Sequence, residues 1–321
     1  MCTAVSERHL FGRTLDLERS FGEAVVITPR RFALPYLYRP PQTSHLAMIG
    51  MAHVAEGRPL YYDAVNEAGL AIAALSFPHA CHYHPPAQGK INLASFELLP
   101  FVLGQCRGLG EAAALLCEIN LTPDAFLPSL PPTPLHWLIA DGSGSLVVES
   151  RQTGLEITQN PFGVLTNAPE FSYHSTRVAD FMQLGARPPE NRLAPELDLS
   201  PYSRGMGALG LPGDFSSSSR FTRAFFAKTH TVKGDTPTEE ISRFFHVMDT
   251  VSLPRGIALT EEGMPILTLY TSCIDTKSGA YHFTTYRSRR IRTVQLRNAD
   301  LDASRLTAFP TESEEDALAL N

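Results

Sequence analysis

Apolar residues in this chain fall mostly into short runs of strand length, separated by turn-forming residues. Val25-Val26-Ile27-Thr28 ahead of Pro29-Arg30 predicts a strand that ends in a turn. Residues 46–50 and 69–75 form two further runs, and Asn66-Glu67-Ala68-Gly69 before the second has hairpin-turn composition. The clearest hairpin pairs 136–140 with 146–149 across Asp141-Gly142-Ser143-Gly144. Residues 267–271 and 280–286 alternate as paired strands do. Helical spacing appears over 96–106 and 110–119, broken apart at Gly108 and Gly110, and again over 238–251. The last of these is expected to start at Thr238, with Glu239 and Glu240 in its first turn.

Hairpins on both sides of a helical block, without strand–helix alternation, predict an α+β fold with antiparallel sheets. Segment 187–199, opening Arg187-Pro188-Pro189-Glu190, is polar and proline-interrupted, and is expected to be a surface excursion. Without a linker or an internal repeat, one domain over 2–321 is expected. The acidic run Thr311-Glu312-Ser313-Glu314-Glu315-Asp316 should be a solvated end.

Composition narrows the function classes. A hydrophobic content of 43% and a charged content of 19% are ordinary for a globular protein. A net charge of -6 argues against nucleic acid or an anionic membrane as the partner. No run approaches the ~18 apolar residues of a membrane span. The first nine residues hold no apolar signal region, and the five cysteines form no CxxC, so reduced thiols in a cytoplasm are expected.

Candidate chemistry begins at Cys2. If Met1 is removed, one residue carries both a thiol and a free α-amine, and the amine has a pKa of about 7.7–8.0. Nucleophile and base then sit on one carbon. Taken alone, a cysteine at this position reads first as an accident of the start codon.

Other segments remove that ambiguity. Phe11-Gly12-Arg13-Thr14-Leu15-Asp16, Leu165-Thr166-Asn167-Ala168-Pro169 and Leu209-Gly210-Leu211-Pro212-Gly213-Asp214-Phe215, followed by Ser216 to Arg220, stand in order behind Met1-Cys2-Thr3-Ala4. So do Pro59-Leu60-Tyr61-Tyr62-Asp63, Leu135-His136-Trp137 and Tyr202-Ser203-Arg204-Gly205-Met206-Gly207. Together they resemble the choloylglycine hydrolase family, which includes bile salt hydrolases and penicillin V acylases. The resemblance implies a four-layer αββα N-terminal-nucleophile fold with two stacked antiparallel sheets. It implies hydrolysis of an N-acyl amide, with bile salts ahead of penicillin V or N-acyl-homoserine lactones, no cofactor, a small-molecule substrate and a homotetramer.

It also implies roles. Cys2 attacks the amide carbonyl and holds the acyl group as a thioester. Arg13 lies beside the sulfur, and Asp16 accepts a hydrogen bond from the α-amine. Asn167 donates its side-chain NH2 to the developing oxyanion, and Arg220 completes the charge field. Ser76 departs from the pattern, since relatives carry Asn there in bile salt hydrolases or Tyr in penicillin V acylases. A backbone donor survives that change and an asparagine side-chain donor does not. A weakly active bile-acid-binding protein is therefore the rival from another class. Substrate contacts are expected at Leu17, Phe21, Ala52, Val54, Phe126, Leu127 and Leu130. Arg204 is expected either to pair with a taurine sulfonate or to anchor a subunit contact. His79-Ala80-Cys81-His82-Tyr83-His84 has ligand types suited to zinc, but without a second cluster it is expected to be a loop beside the cleft rather than a metal site. His136 beside Trp137 should be a buried histidine against a core aromatic.

Overall fold

Strands Cys2–Glu7 and Leu10–Leu17 fold back on each other through Arg8 and His9, which sets Cys2 opposite Leu15 and Ala4 opposite Arg13. The computed structural model describes residues 1–311, 314–315 and 317–320, so Glu312, Ser313 and Asp316 of the acidic run lie outside the described residues. Leu10–Leu17 pairs next with Leu267–Asp275, far away in sequence. Among the described residues the first sheet has six strands: Val164–Leu165, Cys2–Glu7, Leu10–Leu17, Leu267–Asp275, Ala280–Thr285 and Arg292–Gln295. Gly12 makes the close pairing possible. A Cβ there would lie 2.0 Å from the Ser272 carbonyl and 2.8 Å from the Phe244 ring, so a side chain would push the neighbouring strand and helix away.

The second sheet runs Gly154–Gln159, Gly144–Arg151, Leu135–Asp141, Ala71–Ser76, Arg58–Asn66, Met48–Ala55, Ala24–Thr28 and Thr307–Pro310. All these pairings are antiparallel, and alternation sorts the side chains by face, apart from a bulge at Tyr62 where Arg58–Asn66 pairs with Met48–Ala55. Ile49, Met51, Leu75 and Leu138 pack inward with Phe11, Leu15 and Tyr270 of the first sheet. Met48, Ile72 and Trp137 pack outward against helices α1 (Leu98–Gln105) and α2 (Leu109–Leu116). Each such side chain, once buried, contributes about 1.5–3 kcal/mol.

Helix α3 (Phe171–Arg177) packs beside α4 (Ser217–His230), and α4 and α5 (Pro237–Asp249) cover the outer face of the six-stranded sheet. The layers run helix, sheet, sheet, helix, so the α+β architecture with two stacked antiparallel sheets holds.

Three local expectations change. The helix expected over 110–119 stops at Leu116, because Ile119–Thr122 pairs in parallel with Ile91–Ala94. α5 is capped by Thr236 rather than Thr238: the Thr236 hydroxyl accepts from Glu239 N–H, the Glu239 carboxylate accepts from Thr236 N–H, and Pro237 fills the first helical position. α4 goes unpredicted because Ser217-Ser218-Ser219 are weak helix formers that compete with the backbone for hydrogen bonds, whereas here Ser216 caps the helix that they start. Segment 187–199 is an irregular excursion, exposed over most of its length.

Candidate active site

The ladder between the first two strands does not end at Cys2. The Met1 ammonium donates to the Asp16 carbonyl across 2.8 Å, and Asp16 N–H donates to the Met1 carbonyl across 3.1 Å. Cys2 lies just inside this end, 3% exposed, in the core between the sheets. Its peptide N–H donates to Asn167 Oδ1 at 2.8 Å. Arg220 reaches in from α4, donating through Nη1 to the Cys2 carbonyl (2.5 Å) and Thr3 Oγ1 (2.7 Å), and through Nη2 to Asn167 Oδ1 (2.6 Å). Asn167 Nδ2 donates to the Ser76 carbonyl at 2.8 Å. Residues 2, 76, 167 and 220 therefore share one hydrogen-bonded cluster.

Arg13 lies behind the ladder, fully buried. Its Nε donates to the Thr14 carbonyl (3.1 Å) and Nη1 to the carbonyls of Tyr62 (3.0 Å) and Ala74 (2.5 Å). Its Nη2 has no hydrogen-bond partner among the described residues. Burial opposes its charge, but Cys2, Tyr270, Asp63 and Asp16 outweigh burial and hold the guanidinium above its usual pKa. For Arg220 burial prevails and lowers the pKa, against the pull of Asp16 and Cys2.

Asp16 is buried as well, and burial raises its carboxyl above the usual range against the opposing charges of Arg220, the N-terminus and Arg13. Thr268 and Thr14 hydroxyls donate to its two oxygens at 2.7 and 3.1 Å. On the other side of Arg13, Asp63 accepts hydroxyl protons from Tyr270 (2.5 Å), Ser272 (2.7 Å) and Tyr281 (2.9 Å). Burial raises its carboxyl too, opposed first by Arg13. Two buried cations thus face two buried acids around residue 2, each charge partly answered by another.

The site groups are placed as follows, and the expectation for Ala52 is corrected. The Cys2 nitrogen meets Asn167 Oδ1, while the Asp16 carboxylate takes two threonine hydroxyls; with Met1 in place that nitrogen is a peptide, and the ammonium binds the Asp16 main-chain carbonyl instead. The Asn167 NH2, expected to face an oxyanion, gives one proton to Ser76 O. Ala52 is fully buried on the helix side of its strand and cannot touch a substrate; alternation turns its neighbour His53 towards Phe21, 6.3 Å away between ring centroids.

Leu17 packs half-buried against the inter-sheet core, and Val54 is exposed. Phe126 stands edge-on to Phe96 at 5.2 Å with the Arg58 guanidinium over it, and Leu127 and Leu130 close a tight bridge beside it. Arg204 is exposed in the loop before Met206–Ala208. His136 is fully buried, stacked on Phe77 and paired with Glu149. In the His79–His84 segment the His82 and His84 rings meet edge-on, and His84 Nε2 lies 2.8 Å from the Arg151 carbonyl. Among the described residues no group of three or more His, Cys, Asp or Glu could hold a metal ion. Asp63, Thr268, His174 and Ser217 were not singled out in the sequence. Asp63 closes the Pro59-Leu60-Tyr61-Tyr62-Asp63 motif, but nothing in Tyr61-Tyr62-Asp63 reveals that its partners lie more than 200 residues away.

Residues 1–309 match the family model of linear amide C–N hydrolases, choloylglycine hydrolase family. This chain belongs to the choloylglycine hydrolase family. It is 40% identical over 324 residues, covering both chains completely, to the bile salt hydrolase/transferase of Lactiplantibacillus plantarum. It is 33% identical to the conjugated bile acid hydrolase of Lactobacillus gasseri, covering 93% of this chain and 95% of that protein. In structure it matches a mutant conjugated bile acid hydrolase from Clostridium perfringens with a TM-score of 0.92 at 31% identity over both full chains. The penicillin V acylase from Agrobacterium tumefaciens shares the fold, with a TM-score of 0.75 at 22% identity over 96% of this chain and 90% of that one. As a choloylglycine hydrolase family member the chain is a linear amide C–N hydrolase with the N-terminal-nucleophile fold. No helix among the described residues is long and apolar enough to cross a membrane.

Proposed function

We propose that the mature chain begins at Cys2, forms one N-terminal-nucleophile domain over 2–321, and hydrolyses the amide of glycine- or taurine-conjugated bile salts. The observation that carries this is the convergence of Arg13, Asp16, Asn167 and Arg220 on residue 2, in a chain alignable along its whole length with a bile salt hydrolase/transferase. Once Met1 is gone, the nitrogen at residue 2 is an amine able to take the thiol proton. The Cys2 sulfur forms a bond to the amide carbonyl carbon and the carbonyl π electrons move onto oxygen. The C–N bond then breaks, with the amine's proton going to the leaving nitrogen. Water attacks the thioester, releasing the bile acid and restoring the thiol. Arg13, whose Nη2 has no hydrogen-bond partner among the described residues, supplies positive charge to the Cys2 thiolate. The second Nδ2 proton of Asn167 is available to the oxyanion.

The apolar side of the substrate meets Leu17, Phe21, Val54, Phe126, Leu127 and Leu130, and the exposed Arg204 pairs with a sulfonate. Five free cysteines fit a reducing cytoplasm, where a working Cys2 escapes oxidation. Exposed Leu209 and Tyr202 beside Arg204 fit a subunit contact within a homotetramer.

Purified protein is incubated with taurocholate, glycocholate and penicillin V, and the released amine is measured. Taurocholate should lead, and Arg204→Ala should weaken taurocholate hydrolysis more than glycocholate hydrolysis. Turnover of penicillin V alone would reassign the substrate, and no turnover of any amide would overturn the reading. Light scattering at micromolar concentration tests the assembly, and a fully active monomer would refute it.

A further inference from the structure

The strand that leads to Asn167 loses its neighbour too early. Val164–Leu165 pairs with the first strand only as far as Leu165 opposite Ala4, so the backbone of Thr166 and Asn167 continues without a ladder. Both residues are nonetheless buried, and buried peptide groups require partners. Side chains supply them. His136 Nε2 lies 2.7 Å from the Thr166 carbonyl. Ser217 Oγ accepts Asn167 N–H at 2.9 Å and lies 2.7 Å from the Asn167 carbonyl, so one hydroxyl meets both main-chain groups as a neighbouring strand would. His174 Nε2 lies 2.9 Å from the same carbonyl.

His174 is itself fixed. Its ring stacks on Phe221 at 5.2 Å and 10°, next in sequence to Arg220. A ring nitrogen facing a carbonyl must carry the proton, which leaves Nδ1 bare, and Nδ1 is buried with no partner among the described residues. The ring therefore serves as a neutral Nε2–H donor, and burial favours that form.

The geometry points to His174 and Ser217 as positioning residues that set the side chain of Asn167 against Cys2, Arg220 and Ser76 by gripping its main chain. Neither touches the reacting atoms. Because α4 carries Ser217 and Arg220 on one face, a turn apart, the helix delivers both the grip and the charge that shares Asn167 Oδ1. This inference rests on the amide-hydrolase reading of the site.

The test is a double-mutant cycle. His174→Phe keeps a ring for stacking and removes the donor, while His174→Gln can restore an N–H. His174→Phe and Ser217→Ala should each lower kcat roughly tenfold to a hundredfold, the scale of a small misplacement of a reacting group, with KM within about twofold. His174→Gln should recover part of the loss. In an Asn167→Ala background neither change should lower the residual rate further, since both act through Asn167. Equal losses in both backgrounds, or a KM effect alone, would overturn the proposal. A readout independent of turnover uses protein labelled with 15N-asparagine, with the Asn167 side-chain amide assigned by its loss in Asn167→Ala. That resonance should shift in Ser217→Ala, and a resonance that stays in place would overturn the grip. If the unaltered protein cleaves no amide, the function reading fails while this resonance still judges the grip. If His174→Phe fails to fold, Ser217→Ala at the half-buried start of α4 carries both measurements.

Discussion

Asn167 Oδ1 accepts the N–H of Cys2 at 2.8 Å, joining two residues 165 positions apart, and the same oxygen accepts from Arg220. One atom thereby couples the start of the chain, the Thr166-Asn167 segment and helix α4. On the proposed maturation, removal of Met1 would turn the peptide N–H that this oxygen accepts into an amine.

Cys2→Ser should abolish turnover and leave the fold intact, because a hydroxyl at neutral pH is a far weaker nucleophile than a partly ionised thiol. Circular dichroism and amine release check this together. Hydrolysis above about one part in a hundred would mean that another residue attacks. Intact-mass measurement of active protein should give the chain without Met1, and full activity with Met1 attached would end the mechanism.

Ser76 engages Asn167 through its carbonyl, which every residue has. Ser76→Ala should accordingly change kcat by less than about threefold, within the range of an altered surface contact. Ser76→Asn adds a side-chain donor and should raise bile-salt turnover, whereas Ser76→Tyr should shift preference towards penicillin V. Should both leave the ratio of the two activities unchanged, residue 76 does not set selectivity.

Asp63 is held by three hydroxyls and answers the charge of Arg13. Asp63→Ala leaves a buried cation without that counter-charge and should destabilise the fold by about 3–5 kcal/mol, the cost of breaking a buried pair from one side. Urea unfolding at pH 7 measures it. A loss under 1 kcal/mol would place the compensating charge for Arg13 elsewhere.

Acid should weaken the fold through His174. Burial, the nearby His136 and Arg220 lower the proton affinity of its ring, against the Asn167 carbonyl and Glu149. The unfolded ring takes up its proton near 6.5 and the folded ring only at lower pH, so between them the unfolded state binds more protons and stability falls as pH falls. Asp16 and Asp63, with raised folded pKa values, act in the opposite sense, losing stability as pH rises from about 3.8. Comparison of the protein with His174→Gln cancels those contributions. The variant should lose less stability than the parent between pH 6.5 and 5 in urea titrations, and parallel curves would show that the folded ring binds its proton as readily as the unfolded one.

Much of this protein is written locally. The apolar runs at 25–28 and 69–75, the glycine turns between 136 and 149, and the apolar spacing of 96–106 each depend on neighbours along the chain, so strands, hairpins and α1 are legible before folding. The ordered motifs around Cys2, Arg13, Asp16, Asn167 and Arg220 made the family legible as well. Tertiary structure alone decided how those residues meet. Whether Ser217-Ser218-Ser219 turn or start a helix depends on the Ser216 cap and on Phe221 packing into the core, not on intrinsic propensity. Ala52 lies on the helix side because of the face its strand presents, which no loop-level reading contains. Asp63 reads as a polar residue between strands until Tyr270, Ser272 and Tyr281 arrive from the other sheet. The physical reason is range: propensity and alternation act over a few residues, whereas a buried charge is set by whatever the packed sheets bring within about 4 Å of it.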